Sequence, residues 1–463
     1  MIKRNLPWVI AAGTCLTVTM TGAPVAMADD EAQAVGHGFH TGTVSLSTTH
    51  DGQTYELKDP NRGNTRSYRD RYTSGSVESV LYTDEDNDWG DGSLSDRVSM
   101  AVDAQYAAAK AWDYFANVHG RKGFAGDGKG LELHGRDPGM GDSGPPIFGK
   151  LAADKPARIR YGSPYNMFGI KGGARQVNPN TLDQVGAAVA MGVAHTAAGL
   201  PRSYGETDEE DQAFAISLTT ARIFGTMIEF YANNRVDRPD YLIGERLAAG
   251  FPAGTFSAPK SMANPSQGCL SKKAQTTEDP GIHFFHLLAV GSNPTAGEDS
   301  PTCNSMPVTG IGNDKAAKIW YRALTEYFTS KTNYVAARVA TLKAAADLYG
   351  AHGLEYNTVN AAWAAVLVGG ANPIAGGKTP YPVNPGDQET VVRTAARLQL
   401  EATNPGGRAL TYTAAGLPPG LTVDPESGLI SGTPTKAGDY RVTVGTTDTL
   451  HAQGTTWFMW YVA

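Results

Sequence analysis

The middle of the 463-residue chain contains the run Ile223-Phe224-Gly225-Thr226-Met227-Ile228-Glu229-Phe230-Tyr231-Ala232-Asn233. Its apolar side chains recur at i, i+3 and i+4, which is the spacing of an α-helix with one buried face, and the pattern reaches back to Ala213. Between residues 181 and 369 this spacing predicts a mostly helical unit. The other helices predicted there are Leu182–Ala198, Ile282–Leu288, Lys315–Phe328, Asn333–Leu348 and Tyr356–Leu367.

The sequence on either side of this helical unit has a different pattern of polar and apolar residues. Residues 29–180 alternate polar and apolar side chains, as in Thr43-Val44-Ser45-Leu46, which predicts strands and hairpins around one helix at Asp96–Val118. The Gly- and Pro-rich residues 370–382 predict a linker. Residues 383–463 alternate at period two between Pro/Gly turns, which predicts a small β-sandwich. The predicted fold class is α+β, followed by an all-β domain.

Residues 1–28 have the features of a removable signal peptide. Lys3 and Arg4 precede an apolar run, and Ala26-Met27-Ala28 supplies a small-x-small cleavage site. That run is too short to span a bilayer, and no later stretch shows the ~20 apolar residues that a membrane helix needs. We therefore expect a secreted, extracellular protein without membrane insertion. Cys269 and Cys303 are the cysteines left after export, and we expect them to form a disulfide.

The charge of the chain excludes one class of partner. The formal net charge is −7. Loss of Lys3 and Arg4 with the signal peptide leaves 37 basic against 46 acidic residues, a net charge of −9. Nucleic acid binding relies on a basic surface that neutralises phosphates, so nucleic acid is not an expected partner.

Several blocks of sequence, among them Ile223–Asn233 and Thr309–Thr325, together resemble the thermolysin-like neutral metalloproteases, peptidase family M4. The resemblance spans about residues 40–369 and implies a β-rich N-terminal lobe and a helical C-terminal lobe, with the active site in the cleft between them. Residues 416–434 resemble the Ig-like or cadherin-like modules appended to secreted enzymes. The blocks that carry the metalloprotease resemblance are Ala101–Tyr106, Trp112–Arg121, Ile223–Asn233, Thr309–Thr325, Asn333–Leu348 and Tyr356–Val368.

The resemblance places a zinc motif on the helix that begins at Leu182. The family has His-Glu-x-x-His there, because residues i and i+4 aim two imidazoles at one zinc while the Glu acts as general base. The flanking residues are in register on both sides without a gap. The two histidine positions therefore hold Ala187 and Met191, and the position of the base holds Ala188.

The other catalytic positions of the family are replaced too. Leu218 stands at the third zinc ligand and Arg222 at the aspartate that would orient a ligand histidine. The oxyanion-stabilising tyrosine and histidine fall at Arg202 and about Gln275. No His-Glu-x-x-His or His-x-x-Glu-His occurs among the ten histidines, so we expect a pseudoprotease without catalytic zinc. We also expect a first strand near Thr41, which would leave only about ten residues where active members carry a long propeptide.

Calcium is the metal that the resemblance still implies. Glu229, Asp240 and Glu245 match one calcium site of the family, and Asp84-x-Asp86-x-Asp88 matches a second site at the surface. Calcium prefers such groups of hard oxygen donors; solvated acidic loops are the alternative in both places. One expected aspartate is missing, because the family's Tyr-Gly-Asp-Gly appears as Tyr161-Gly162-Ser163-Pro164.

Four further features have plainer interpretations. We expect Glu206–Asp211 to be a solvated loop, and His283-x-x-His286 to be a pair on a packing helix instead of a metal site. Gly141-Asp142-Ser143-Gly144-Pro145 imitates a chymotrypsin-like nucleophile loop without the fold that such a loop needs. Gly123–Lys129 imitates a phosphate loop, but the Ser/Thr and the preceding strand are missing.

Two hypotheses from different function classes follow. In the first, a non-catalytic secreted protein uses the former substrate cleft or the Ig-like module to bind a protein, a peptide or a cell-surface glycan. In the second, the protein is a secreted metallopeptidase or another hydrolase with residual or altered chemistry. A purely structural role in the envelope, or a decaying gene product, is a third. Zinc content after purification distinguishes the first two.

Overall fold

A computed structural model describes residues 30–73, 76–136, 147–148, 157–161, 180–248, 259–295, 297–369 and 378–463. Three features discussed above lie outside these residues: the predicted signal peptide, the Gly141–Pro145 segment and residues 162–164. Most of the predicted linker also lies outside them. The α+β class predicted from the sequence is confirmed: a β-rich region comes first, a helical region follows, and a β-rich domain ends the chain.

The described part of the N-terminal lobe contains two sheets and one long helix. One sheet has the strand order β7-β3-β2-β1-β8, and the other has the order β10-β11-β9-β5-β4 with β6 paired to β5. Its elements are β1 (Asp30–Gly38), β2 (Gly42–His50), β3 (Tyr55–Glu56), β4 (Lys58–Asp59), β5 (Thr65–Thr73), β6 (Ser76–Leu81), β7 (Thr83–Asp84), β8 (Asp88–Trp89), α1 (Arg97–His119), β9 (Leu131–Arg136), β10 (Ile147–Phe148) and β11 (Ala157–Tyr161).

The first strand begins at Asp30, so the expectation of a first strand near Thr41 was wrong. The inward-facing residues of β1 are small, and small residues give no apolar signal in the sequence. Gly36 lies so close to Leu46 and Val102 that an added Cβ would stand 2.8 Å from each. The β1–β2 turn is held from α1, because the buried carboxylate of Asp103 accepts hydrogen bonds from the backbone N–H groups of His40 and Thr41.

In the described residues the C-terminal lobe is a bundle of six α-helices with two short paired strands. Phe284 and Trp363 stack at its centre with ring centroids 3.7 Å apart. The disulfide between Cys269 and Cys303 is present, and it joins two loops that hydrogen-bond the C-terminal end of the last helix of the bundle. The elements are α2 (Leu182–Ala198), α3 (Asp208–Ala232), β12 (Leu242–Ile243), β13 (Lys260–Ser261), α4 (Asp279–Ala289), α5 (Asn313–Glu326), α6 (Tyr334–Tyr349) and α7 (Leu354–Ala365).

Helix α3 begins five residues before the predicted start. Thr207 and Glu210 form a capping box, in which each side chain accepts a hydrogen bond from the other's backbone N–H. The acidic residues of the first turn favour this end of the helix because it carries the positive end of the helix dipole. Glu206–Asp211 is therefore solvated as expected, but Asp208–Asp211 belong to a helix and not to a loop.

Helix α3 is also the one described helix that is long and apolar enough to cross a membrane. Of its most apolar 18-residue window, 83% is buried inside the protein, which is the environment of a core helix.

The C-terminal domain is a β-sandwich docked on the helical lobe. A four-stranded sheet of order β15-β22-β21-β18 packs on a three-stranded sheet of order β16-β20-β19 around Val442, Phe458 and Trp460. Its elements are β14 (Tyr381–Pro382), β15 (Gln388–Thr390), β16 (Ala396–Gln399), β17 (Ala402–Thr403), β18 (Leu410–Ala415), β19 (Leu421–Val423), β20 (Leu429–Gly432), β21 (Gly438–Asp448) and β22 (Gln453–Val462).

Helices α2 and α3 approach each other closely at two glycines. A Cβ added at Gly225 would lie 2.5 Å from the carbonyl oxygen of Asp183, and one added at Gly186 would lie 3.2 Å from Ile228. Backbone atoms cannot move aside as a flexible side chain can, so no residue larger than glycine fits at Gly225 without separating the two helices.

We predict that Gly225→Ala lowers the free energy of unfolding by about 1–3 kcal/mol through overpacking, although alanine has the higher helix propensity by ~1 kcal/mol. The measurement is urea unfolding. Gly369→Ala is the control, because a Cβ there meets nothing within 4 Å and should leave stability nearly unchanged. Equal stability of Gly225→Ala and wild type would show that the two helices can separate at no cost.

Candidate functional site

The candidate site lies on the facing sides of α2 and α3. Gln184 contacts Arg222, and Ala187 contacts Gly225, so these two helical faces are opposed. Met191 lies one turn beyond Ala187 and Leu218 one turn before Arg222, on the same faces. The positions that correspond to the zinc motif therefore lie on the opposed faces of α2 and α3, from the buried Ala187 to the half-buried Met191 and Leu218.

The side chains at these positions do not fit zinc. Ala187 and Ala188 are 6% and 4% exposed and carry no donor atom, while Met191 and Leu218 are half-buried. Zinc is held by thiolate, imidazole or carboxylate groups, and alanine, leucine and a thioether offer none of these. His195, further along α2, directs Nδ1 to the carbonyl oxygen of Leu200 at 3.0 Å.

A guanidinium occupies one end of this site. Arg222 donates from Nη1 to the Gln184 side-chain oxygen at 3.1 Å, and its Nε is buried without a hydrogen-bond partner in the described part of the chain. Burial alone would raise the pKa of Glu278, but Lys260 and then Arg222 hold it below its usual range. A fixed positive charge here opposes the binding of a dication.

An ionic group adjoins Arg222 and consists of Lys260, Glu278 and Asp279. The sequence analysis did not predict it. Lys260 Nζ lies 2.7 Å from Glu278 Oε1 and 2.8 Å from Asp279 Oδ1. The carboxylate of Asp279 is buried and also accepts a hydrogen bond from the backbone N–H of Gln267 at 3.0 Å. Both carboxylates stand at the start of α4, where the helix dipole favours negative charge. Because they pair with Lys260 of β13, they tie the start of α4 to that strand.

The two oxyanion positions are occupied by side chains of a different kind. Arg202 lies half-buried in the loop between α2 and α3, and Gln275 lies in a short 3₁₀ turn, Ala274–Thr276, before α4. The same α2–α3 loop presents Tyr204, which is 59% exposed and packs edge-on against Phe214 with ring centroids 4.7 Å apart. The sequence analysis did not single out Tyr204.

The two histidines of α4 are packed as core side chains. His283 directs Nδ1 to the carbonyl oxygen of Gly268 at 3.2 Å, and the ring of His286 meets Tyr241 edge-on at 4.7 Å. Burial lowers the pKa of both, that of His286 to about 4. Neutral rings in such contacts agree with the packing interpretation of this pair.

The strongest candidate metal site is a group of buried carboxylates at the other end of the α2–α3 pair. Glu229, Asp237 and Glu245 bring carboxylate oxygens within 4.8 Å of one another, the one such metal-compatible group in the described residues. Glu229 is fully buried, and neither of its carboxylate oxygens has a hydrogen-bond partner there. Asp183 stands beside them on α2, where it accepts hydrogen bonds from Gln184 and from the backbone N–H of Gly244. Hard oxygen donors in this number fit calcium.

The membership of this group differs in part from the sequence prediction. Glu229 and Glu245 belong to it, whereas Asp240 is not one of the three mutually close carboxylates. The Asp240 carboxylate accepts a hydrogen bond from the backbone N–H of Leu242 at 2.7 Å, and its charge still contributes to the raised pKa of Glu229 and of Glu245. Sequence reasoning missed Asp183 and Asp237. The available signal was Asp183 itself, an acidic residue one turn before Ala187 in an otherwise apolar helix.

Burial and mutual repulsion make these carboxylates costly in the ionised form. Burial, and next the neighbouring Asp183, raise the pKa of Glu229 to about 11, that of Glu245 to about 9 and that of Asp237 to about 7. The nearest cation is Arg246, whose Nε is 3.7 Å from Asp237 Oδ1. One guanidinium cannot balance the group, so a bound divalent cation would remove a large electrostatic penalty.

The three carboxylates of the second predicted calcium site each make other contacts in the structure. Asp88 forms an ion pair with His37, with Oδ1 at 2.9 Å from Nε2. Asp84 and Asp86 instead accept hydrogen bonds from backbone N–H groups within their own turn. Burial, and next the neighbouring Asp86, raise the pKa of Asp84. Among the described residues these three carboxylates do not form a group as close as that of Glu229, Asp237 and Glu245, so calcium at this turn stays a prediction beside the alternative of a solvated acidic turn.

Comparison with models of protein families shows which family the chain belongs to. Residues 33–134 match a family described as "Thermolysin metallopeptidase, catalytic domain", and residues 210–368 match its companion, "Thermolysin metallopeptidase, alpha-helical domain". The chain belongs to the thermolysin family of metallopeptidases. Residues 379–463 match a "Putative Ig domain". The matched thermolysin segments leave out residues 135–209, which contain α2.

The relatives that this thermolysin-family chain resembles are named as proteases. The transglutaminase-activating metalloprotease of Streptomyces mobaraensis is 36% identical over 403 residues, 82% of this chain and 48% of that protein. Bacillolysin of Bacillus cereus is 28% identical over 347 residues, 72% of this chain and 54% of that protein. The chain thus spans about half the length of these two relatives. The precursor of protealysin from Serratia proteamaculans aligns over 65% of this chain and 88% of its own at 18% identity, with a TM-score of 0.43.

We predict that millimolar calcium raises the melting temperature, and raises it more at pH 8 than at pH 5. The three raised pKa values mean that the metal-free folded state keeps protons that the unfolded chain releases near pH 4 to 5. The stability from those protons is complete at low pH and is lost as the pH rises toward 7 and above. Calcium replaces the protons, and at a hundredfold excess over its Kd it would add about 2.7 kcal/mol.

Differential scanning fluorimetry with calcium or with chelator measures this effect. Glu229→Gln should remove most of the calcium response, whereas Glu326→Gln, an exposed carboxylate on α5, should leave it intact. Identical melting curves with calcium and with chelator at pH 8 would contradict a calcium site here.

Proposed function

We propose that this thermolysin-family protein is secreted, lacks catalytic zinc and proteolytic activity, and acts by binding a protein, a peptide or a cell-surface glycan. The observation that carries the proposal is the occupancy of the former metal site by Ala187, Ala188, Met191 and Leu218. Without a ligand set there is no metal to activate water, and without Glu at Ala188 there is no general base beside it. Secretion is supported by the basic start, the apolar run and the Ala26–Ala28 cleavage signal.

The chemistry of the replacements supports a settled, non-catalytic site. Apolar side chains inside a former metal site avoid both a void and an unpaired buried polar group. Arg222 places a positive charge where an orienting carboxylate would be needed. The surface beside it, with Tyr204, Phe214 and the Lys260–Glu278 pair, offers aromatic and ionic contacts suited to recognition. Calcium at the carboxylate group would stabilise this scaffold without taking part in chemistry.

An enzymatic function is the alternative, and the names of the relatives favour it. Two thirds or more of this chain aligns with proteins described as metalloprotease and bacillolysin. An active protein would have to use metal ligands other than the family's, because those positions are replaced. Besides Glu229, Asp237 and Glu245, the described residues hold no group of three metal-compatible side chains.

The purified mature protein should contain no stoichiometric zinc and should not cleave casein. Elemental analysis by plasma mass spectrometry measures the metal, and a fluorescent casein assay measures cleavage. The S. mobaraensis relative, prepared in parallel, serves as the positive control. Chelator-sensitive cleavage by a preparation free of host proteases would exclude the proposal and establish the alternative.

Restoring the ligands tests whether the former site is still open. The variant with Ala187→His, Ala188→Glu, Met191→His and Leu218→Glu should bind zinc weakly and remain nearly inactive, because Arg222 still opposes the metal. Without metal it should lose about 1–3 kcal/mol of stability, because it buries polar groups at positions now apolar.

A fifth change, Arg222→Asp, is the matched comparison. It replaces the opposing charge by a carboxylate that can orient a ligand histidine, and such partners contribute about 10–100-fold in metal affinity. Zinc titration of the two variants gives the ratio. Full proteolysis by the four-residue variant, with unchanged melting, would mean that the site has stayed preorganised for catalysis.

A further inference from the structure

The four-stranded sheet of the Ig-like domain has an outer face with exposed aromatic rings. Along β22 the side chains of Trp457, Met459 and Tyr461 point away from the sandwich core, while Phe458 and Trp460 point into it. Trp457 is 50% exposed and Tyr461 38% exposed. We call Trp457, Met459 and Tyr461 the aromatic strip. Exposed apolar side chains that are contiguous on one face, and not scattered singly, are typical of an interaction surface.

The charges that flank the aromatic strip are mostly acidic. Tyr461 lies between Glu389 of β15 and Asp439 of β21 in the strand register, so both of its neighbours on this face are carboxylates. The guanidinium of Arg441 lies 4.5 Å from the centre of the Trp457 ring and supports that ring by a cation–π contact. Carboxylates on both sides of Tyr461 disfavour a polyanionic ligand and offer hydrogen-bond acceptors to hydroxyl groups.

The polar tips of both rings are available for a ligand. Neither the indole N–H of Trp457 nor the hydroxyl of Tyr461 takes part in a hydrogen bond within the described part of the protein. Residues i and i+2 of a strand stand about 7 Å apart, and residues i and i+4 about 13 Å apart. The strip is therefore a linear series of contact points along one strand.

The outer face of β22 continues from the strip into a cavity between the Ig-like domain and the helical lobe. Beyond Trp457 the outward residues are Thr455 and Gln453, and Gln453 lines a cavity of about 390 Å³. Small polar side chains dominate its wall, among them Thr411, Thr413 and Thr447. The hydroxyl of Thr447 is buried and has no hydrogen-bond partner among the described residues. Binding cavities often lie at domain interfaces.

The two walls of the cavity are held together by specific contacts. Asn357 on α7 donates to the carbonyl oxygen of Leu450 at 2.8 Å, and Thr358 is 2.7 Å from His451 Nδ1. Gln453 donates to the carbonyl oxygen of Pro307 at 2.8 Å. The two domains therefore form the cavity together, and it lies at the end of the same face of β22 that carries the aromatic strip.

We propose that a neutral, linear polysaccharide binds along the aromatic strip, with one end in the cavity between the domains. This inference rests on the proposed binding function and names the ligand class and its site. The apolar faces of sugar rings can stack on Trp457 and Tyr461, while their hydroxyls can bond to Glu389, Asp439 and the threonines of the cavity. A protein partner would be favoured by a compact apolar cluster, and the surface here is a polar face with spaced rings.

Affinity electrophoresis of the full mature chain tests the proposal. The gels contain hydroxyethylcellulose, galactomannan, xyloglucan or soluble starch, with carboxymethylcellulose as the polyanionic comparison. At least one neutral polymer should retard the protein, and carboxymethylcellulose should not. Trp457→Ala should weaken binding about tenfold or more, as expected for loss of an aromatic anchor, and Tyr461→Ala should weaken it in the same direction. Both rings are exposed, so the variants should keep the wild-type melting temperature.

Two matched controls locate the ligand. Thr447→Val should weaken binding severalfold, whereas Thr446→Val, which removes an equally unpartnered hydroxyl from the core side of the same strand, should not. Tyr204→Ala removes an exposed ring beside the former cleft and should leave the retardation unchanged.

Three results would overturn this inference while leaving the proposed binding function intact. They are retardation by no neutral polymer, retardation that survives Trp457→Ala but is lost with Tyr204→Ala, and capture of a protein through Trp457 without any polysaccharide binding. Failure of the binding function itself is seen separately, as zinc-dependent proteolysis.

Discussion

The close approach of α2 and α3 is the constraint on which the rest of the helical lobe depends. Because Gly186 and Gly225 carry no side chains, the backbones meet, and everything on the two facing surfaces is placed by that contact. Toward one end it sets Met191 against the α3 face that carries Leu218. Toward the other it brings Asp183 to the buried carboxylate of Glu229. One packing contact thus positions both the residues that correspond to the family's zinc motif and the candidate calcium site.

Most of the fold could be predicted from the sequence, and the failures have physical causes. The helices were predictable because their buried faces repeat at i, i+3 and i+4 with large apolar residues. Strand β1 was not, because its inward residues Ala34 and Gly36 are small and are buried by Leu46 and Val102 of neighbouring elements. The start of α3 was missed because a charged first turn has no apolar face; the capping box at Thr207 was the local signal for it.

The candidate site was only partly predictable, because a sequence motif gives spacing along the chain but not convergence in space. The replaced zinc positions followed from helical register alone. The carboxylate group required knowing that the loop after α3 folds back, which brings Asp237 under Glu229 and leaves Asp240 bonded to its own turn. The contact of Asp88 with His37 of the adjacent strand could not be read from the sequence for the same reason.

The two ends of the α2–α3 pair differ in what their side chains cost the folded state. At the former zinc site, Ala187 and Leu218 need no partner, and the helices pack there without assistance. At the opposite end, ionised carboxylates in a buried space oppose folding unless a cation offsets them. A chain that only had to fold would be more stable with apolar residues at Glu229 and Asp237. The retention of these carboxylates in a buried space is therefore explained most simply by a cation that they bind, because its charge would offset their repulsion.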